Sequence, residues 1–295
     1  MKNFLLNMIV SVIVRVLRSI EARLLCLARG PLLPNKHLEA DTAQLKKMRT
    51  KKGEIQYFAR PSFSDQVRAY EFSEDIYCQP GYLNDLLLKR EPKLLIDIGA
   101  NIGLSSLNLL KSFPTLSVVV GVEANHENWK VLKKNYEMWS QHYPGIEFHA
   151  IFGVADSKKN SSYKLSSLNG LSKELSASGT FTFTPDDSGE NVAIPSILIN
   201  EILDSYQPRP INGKIRGGVI CKIDIEGGEE YLFAENTKWF SNLQYLTIEI
   251  HDRYSLEYMN SSRGILKALL DNDFAIYPQH DILHCYSRKN IKSGI

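Results

Sequence analysis

The residues in this chain best spaced to do chemistry are two acids and two glycines. Asp97, Gly99 and Gly103 fall in Leu94-Leu95-Ile96-Asp97-Ile98-Gly99-Ala100-Asn101-Ile102-Gly103, and Glu123 follows Asp97 by 26 residues, at the end of Ser117-Val118-Val119-Val120-Gly121-Val122. Both runs are apolar and without helical spacing, which specifies buried strands of a parallel sheet. The glycines let the chain turn tightly and let a ligand approach the backbone. A dinucleotide would lay its pyrophosphate at this turn, against the N-terminus of the next helix, and Asp97 would repel it. A cation would be drawn there instead.

The pattern Asp-x-Gly-x-x-x-Gly departs from the dinucleotide pattern Gly-x-Gly-x-x-Gly in the direction that S-adenosylmethionine requires, since that ligand carries an ammonium and a sulfonium and no phosphate. The spacing to Glu123 accommodates one strand, one helix and the next strand, so Glu123 can accept both ribose hydroxyls of an adenosine. The expected cofactor contacts are Asp97, Gly99, Asn101, Gly103 and Glu123, with Asp156, past the third strand, added to them. Taken singly, Asp97 and Glu123 could equally end strands or cap helices. Together with the glycines they favour a nucleoside-type site.

A second group of charges lies further along. Lys222-Ile223-Asp224-Ile225-Glu226-Gly227-Gly228-Glu229 closes a strand in which alternation sends Lys222, Asp224 and Glu226 to one side. An ammonium inside a parallel sheet is costly unless paired, so Lys222 is expected to meet one of the acids. The next strand ends Glu249-Ile250-His251-Asp252, which would set His251 beside Asp224 across adjacent strands. Asp224 and His251 are then candidate general bases for a hydroxyl proton, and Glu226 a group that orients an acceptor or helps to hold a cation. Two plainer readings stay open: a structural ion pair with Glu229 stabilising the next helix's N-terminus, and a structural histidine. Asp224, Glu226 and Asp252 could also offer oxygen ligands to Mg²⁺, but no metal ligands are assigned.

Strands and helices must alternate to bring the two groups together. Strands are read over 94–98, up to Glu123, and over 146–152. Between them lie a helix carrying Leu104, Leu107, Leu110 and Phe113 and a helix with Trp129, Leu132, Tyr136 and Trp139 on one face. Residues 155–189 are irregular, with one alternating segment at 180–184 that fits a hairpin strand, and read as a lid, an acceptor-recognition element or a variable surface loop. A short helix at 195–206, strands at 218–224 and 243–250, a helix at 264–270 and a closing antiparallel pair at 274–277 and 282–286 follow. Upstream, residues 53–82 read as a strand-like, aromatic cap on the main sheet. The whole is an α/β fold with a parallel sheet covered on both faces, whose ligands sit beyond the carboxyl ends of the central strands.

Through the loop 97–103, Glu123 and above all the segment 222–229, the chain resembles the FkbM-type S-adenosylmethionine-dependent methyltransferases, and Ser64-Asp65-Gln66-Val67 through Tyr82 is similar to that family's lead-in. The resemblance covers residues 53–288. Gly228 stands where the family often has alanine. The resemblance implies a class I methyltransferase fold: a Rossmann-like, mostly parallel seven-stranded sheet with helices on both faces and an antiparallel last strand. It also implies O-methylation, often of a sugar or polyketide hydroxyl, so the expected acceptor is a small-molecule or glycan hydroxyl, with a place in polysaccharide or glycolipid biosynthesis. The layout that results is an apolar and amphipathic helix at 1–30, a linker at 31–52, a cap at 53–90 and an S-adenosylmethionine-binding domain at 91–288. An NAD-dependent oxidoreductase is disfavoured by Asp97 and by the missing glycine pattern. A non-catalytic, membrane-associated scaffold is disfavoured by the intact acids and glycines.

Composition bounds the partners. With 295 residues, 43% of them hydrophobic, the chain can bury a full core. Lys and Arg total 35 against 33 Asp and Glu, a net charge of +2, which offers no basic stripe for nucleic acid. Cys26, Cys78, Cys221 and Cys285 are widely spaced and fit reduced thiols in the cytoplasm. Asn3 to Val14 is uncharged and mostly apolar, too short to span a bilayer core of ~30 Å. Arg15, Arg18, Arg23 and Arg29 continue it as a basic amphipathic helix suited to a membrane surface. Docking on the protein or on a second subunit, and a secretion signal, are the alternatives.

Overall fold

The computed structural model describes residues 39–50, 53–75, 77, 87–88, 91–157, 163–167, 181–185, 194–206, 218–226, 228–233, 237–251, 261–279 and 282–289. Their elements run β1 (Gln44–Thr50), β2 (Gly53–Ala59), α1 (Phe63–Ser73), β3 (Leu94–Ile98), α2 (Leu104–Ser112), β4 (Val118–Glu123), α3 (His126–His142), β5 (Glu147–Phe152), β6 (Val154–Asp156), β7 (Tyr163–Ser167), β8 (Phe181–Pro185), β9 (Ser196–Leu198), α4 (Ile199–Tyr206), β10 (Val219–Ile223), α5 (Glu229–Phe233), β11 (Leu243–Glu249), α6 (Ser261–Asp271), β12 (Phe274–Gln279) and β13 (Ile282–Ser287).

Seven strands form one sheet in the order β12-β13-β11-β10-β3-β4-β5. The five from β11 to β5 are parallel, and β13 runs antiparallel between β11 and β12. This is the class I methyltransferase arrangement, with its order reversal between β3 and β10. Alternation divides each strand between two cores. Leu95, Val119, Ile220 and Tyr245 pack with α2 and α3 on one face, whereas Leu94, Ile96, Val120, Cys221 and Ile223 pack with α4, α5 and α6 on the other. Cys221 and Cys285 are free thiols inside this core.

Three segments differ from the sequence reading. The stretch read as a linker to residue 52 holds β1, which pairs with β2 as an antiparallel hairpin from Gln44↔Ala59 to Thr50↔Gly53. Most side chains of β1 are exposed, so no apolar alternation announces it. The strand-like reading past residue 60 gives way to α1, which starts where Ser62 Oγ accepts the Asp65 N–H at 3.2 Å. The helix read from residue 195 begins at Ile199, because Ser196–Leu198 first pairs in parallel with β6. The segment near 180–184 is a hairpin strand, β8, paired with β7.

The β1–β2 hairpin caps α3. Trp139 Nε1 donates to the Gln56 carbonyl at 2.8 Å, and Asn135 exchanges bonds with the Phe58 backbone at 2.5 and 3.0 Å. Residues 1–38, including the expected amphipathic helix, lie outside the described residues. Among the described residues no helix is long and apolar enough to cross a membrane.

Candidate functional site

The strand register puts one face of the sheet in charge of the chemistry. Asp97 stands opposite Gly121 on β4 and opposite Lys222 on β10, and Lys222 stands opposite Thr247 on β11. Glu123, Asp224 and Glu249 follow on that face at the carboxyl edge. Beyond the edge opens a cleft of about 940 Å³, part of it solvent, lined at one end by Gly99, Asn101 and Glu123 and at the other by Glu71, Asp224 and Glu226.

The first end is a turn pressed against β10. Gly99 has φ +78°, and a Cβ there would lie 1.8 Å from the Asp224 carbonyl oxygen, so only glycine fits. Lys222 Nζ donates to the Gly99 carbonyl at 2.8 Å. Asn101, at φ +51°, donates its N–H to Glu123 Oε2 at 2.8 Å, and the Asn125 N–H meets Oε1 at 2.8 Å. Burial raises the Glu123 carboxyl above the usual range, with the Asn125 and Asn101 N–H groups opposing it. Asn101 Oδ1 is buried and makes no hydrogen bond among the described residues.

Three expected cofactor contacts stand elsewhere. Asp97 is fully buried beneath the turn and does not line the cleft. Its Oδ2 accepts from Ser105 and Ser106 at 2.7 and 2.6 Å, and Oδ1 lies 3.3 Å from Lys222 Nζ. With Lys222 opposite in register, its charge is spent inside the sheet. Gly103, at φ +90°, begins α2 with its bare Cα facing Leu132, Tyr136 and Trp139, and so sets the packing of α2 on α3. Asp156 accepts from the Tyr163 hydroxyl and, at 3.4 Å, from Ser196, while Val154 and Ala155 line the cleft in its place.

The second end gathers Asp224, Glu226 and His251, as expected, and adds residues that sequence reasoning missed. Tyr77 donates to Asp224 Oδ2 at 2.8 Å, and Lys222 Nζ lies 3.5 Å from the same oxygen and 5.1 Å from the Tyr77 ring centre. Arg68 bonds Glu71 at 2.7 Å and lies 3.8 Å from Asp224. Arg68 and Glu71 are three apart on α1 and would have been legible had that helix been recognised. Nothing near Tyr77 in sequence announces it.

Charge states revise two of the roles. Burial opposes ionisation of Asp224, but Lys222, then Arg68 and His251, outweigh it and hold the carboxyl well below the usual range. His251 Nδ1 bonds Glu229 Oε1 at 2.7 Å, while Nε2 faces Asp224, Glu226 and Glu249 at 3.6, 3.5 and 3.5 Å. Burial works against its charge, yet Glu226, Glu229 and Glu249 raise its pKa well above the ordinary histidine value. A carboxylate so stabilised and an imidazole already protonated are both poor bases. Burial and then Asp224 push Glu249 up to about 8. His251 also lies behind the cleft wall, whereas Glu226, at φ +53° and with its side chain 19% exposed, reaches into it. Asp252, named with Asp224 and Glu226 for Mg²⁺, lies outside the described residues.

No protein-family model matches this chain, and no curated protein matches it. Among solved structures, the chain is similar to the methyltransferase FkbM from Methylobacillus flagellatus KT, at 17% identity over 66% of this chain and 44% of that one, with a TM-score of 0.42. It is also similar to the O-methyltransferase from Bacillus cereus in complex with SAH, at 11% identity over 75% and 91% of the two chains and a TM-score of 0.36. A third is the precorrin-6y C5,15-methyltransferase from Geobacter metallireducens GS-15, at 9% identity over 70% and 86%, with a TM-score of 0.30. This chain thus spans less than half the length of the FkbM structure. The fold itself stands on the strand order.

Proposed function

We propose that this protein is an S-adenosylmethionine-dependent methyltransferase that passes a methyl group to a hydroxyl of a small-molecule or glycan acceptor. The observation that carries the reading is the Glu123 carboxylate at the end of β4, held against the Gly99–Asn101 turn on the wall of the cleft. A nucleoside fits there: Glu123 retains lone pairs for ribose hydroxyls, and the buried Asn101 Oδ1 can accept from a donor on the ligand. A dinucleotide fits poorly. The N–H groups of Gly99, Ala100, Asn101 and Gly103 are already given to Val122, Val122, Glu123 and Ala100, so these four offer nothing to a pyrophosphate.

When bound, the cofactor supplies a methyl group activated by a sulfonium. The carboxylates of Asp224 and Glu226 make the far end of the cleft favourable for positive charge. Tyr77, Lys222 and Arg68 hold Asp224 in place, so its part is to orient and to attract. Glu226, which lines the cleft beside Asp224, takes the acceptor's proton. Aligned confinement of the two reactants supplies much of the acceleration.

Calorimetry on the full-length protein with SAH and with NADH tests the reading. Micromolar SAH binding, weakened by roughly tenfold or more in Glu123→Ala, is the expected result. A folded protein that binds NADH or neither ligand overturns it.

A further inference from the structure

Arg60, the residue after β2, is buried, and so is the carboxylate that holds it. Asp65 accepts the Arg60 N–H at 2.7 Å, Nε at 3.1 Å and Nη2 at 2.6 Å, a grip that fixes the plane of the guanidinium. Nη2 also donates to Asn128 Oδ1 at 2.6 Å, and Asn128 Nδ2 in turn donates to Glu123 Oε1 at 3.4 Å. The contacts thus run from the segment that opens α1 to the acid set against ribose in the methyltransferase reading. We propose that Arg60 is a positioning residue of the cofactor site, turning the Asn128 amide so that its N–H group orients the Glu123 carboxylate for the ribose hydroxyls. The inference rests on that reading.

Donor and acceptor chemistry gives these contacts one direction. A guanidinium can only donate and an ionised carboxylate can only accept, so the amide between them is satisfied with its oxygen toward Arg60 and its nitrogen toward Glu123. Without a fixed donor at Arg60, the amide is free to turn its oxygen on the carboxylate. Burial raises the Glu123 carboxyl, and the Asn128 bond joins the Asn125 and Asn101 N–H groups in opposing that rise, so the same amide favours the ionised form. Asn128 lines the cleft, whereas Arg60 does not, so Arg60 acts on a ligand there at one remove. α1, with Asp65 in its first turn, also carries Arg68 and Glu71 to the other end of the cleft. One helix is therefore tied to both ends.

The test is SAH affinity by calorimetry on full-length wild type, Arg60→Lys, Asn128→Ala and the double variant. A lysine keeps the charge beside Asp65 but cannot reproduce the fork that also reaches Asn128. At 3.4 Å the Asn128 bond is the longest of the three on Glu123, so the expected loss in Arg60→Lys is modest, about three- to fivefold. Asn128→Ala should lose at least as much, and the double variant no more than Asn128→Ala alone. A residue that merely staples the fold would show losses that multiply. Should Arg60→Lys not fold, Asn128→Asp decides: it keeps an acceptor for Arg60 but sets a like charge against Glu123, and at least tenfold weaker binding is expected. Wild-type affinity in folded Arg60→Lys or folded Asn128→Asp, or multiplying losses in the double variant, overturns this inference alone. Wild-type protein that binds no SAH overturns the methyltransferase reading and this inference with it.

Discussion

Lys222 and Asp97 stand directly opposite each other on the adjacent parallel strands β10 and β3, and their charged groups meet at 3.3 Å with both side chains shut away from solvent. The pair ties the Gly99–Asn101 turn at one end of the cleft to the acid cluster at the other, because the same ammonium also bonds the Gly99 carbonyl and neighbours Asp224. Removing one member of a buried pair leaves the other charge uncompensated. Lys222→Met is therefore expected to cost about 3–5 kcal/mol of folding stability, and Lys222→Met combined with Asp97→Asn markedly less. Urea unfolding of both variants checks this; an equal loss in the single and double variants would remove the pair from the account.

Gly99→Ala combines a positive φ with a Cβ set 1.8 Å from backbone of the next strand. Backbone cannot move aside as a flexible side chain can. A loss of stability on the order of 2–4 kcal/mol is expected, with SAH affinity falling more than in a surface control. Thermal unfolding with and without SAH provides the measurement, and unchanged affinity would place the ligand away from this turn.

Asp156 stands apart from the acids that line the cleft. Its carboxylate serves Tyr163 and Ser196 outside the cleft. Asp156→Ala should lower stability by about 1–3 kcal/mol and leave SAH affinity within about threefold of wild type. A large selective loss of SAH binding would return Asp156 to the cofactor site.

His284, fully buried on β13 and bonded through Nδ1 to the Tyr245 hydroxyl at 2.5 Å, has its pKa lowered by burial to about 4. The unfolded chain, with an ordinary histidine pKa of ~6.5, takes up a proton that the folded chain refuses. Stability from this group is thus full above ~6.5 and falls as pH drops toward 4, by on the order of 2–3 kcal/mol. His284→Gln should flatten that part of the stability profile. Equal slopes between pH 6.5 and 4 in the two proteins would rule the residue out.

Much of this molecule was legible in one dimension. The apolar runs at 94–98 and 118–122, the helix positions between them and the alternating acids after Lys222 sufficed for a parallel α/β sheet and for the strand ends at which a site must lie. Period and residue type carry that information locally. The segments misread were those whose partners are distant. β1 is held by its ladder to β2 and shows no apolar face, and α1 opens on a cap that its aromatic residues obscured.

Within the site, the chain alone determined which residues carry charge and that Asp224 and His251 share an edge of the sheet. Tertiary structure decided what those charges do. Asp97 and Glu123 both follow apolar runs, yet only Glu123 reaches the cleft, because register sets Lys222 against Asp97 and buries the pair. Likewise His251 reads as a base until Glu226, Glu229 and Glu249 surround it and hold its proton in place. Protonation state depends on every charge within a few ångströms, and those neighbours come from strands and helices far apart in sequence. Residue type sets what a group can do, and packing selects what it does.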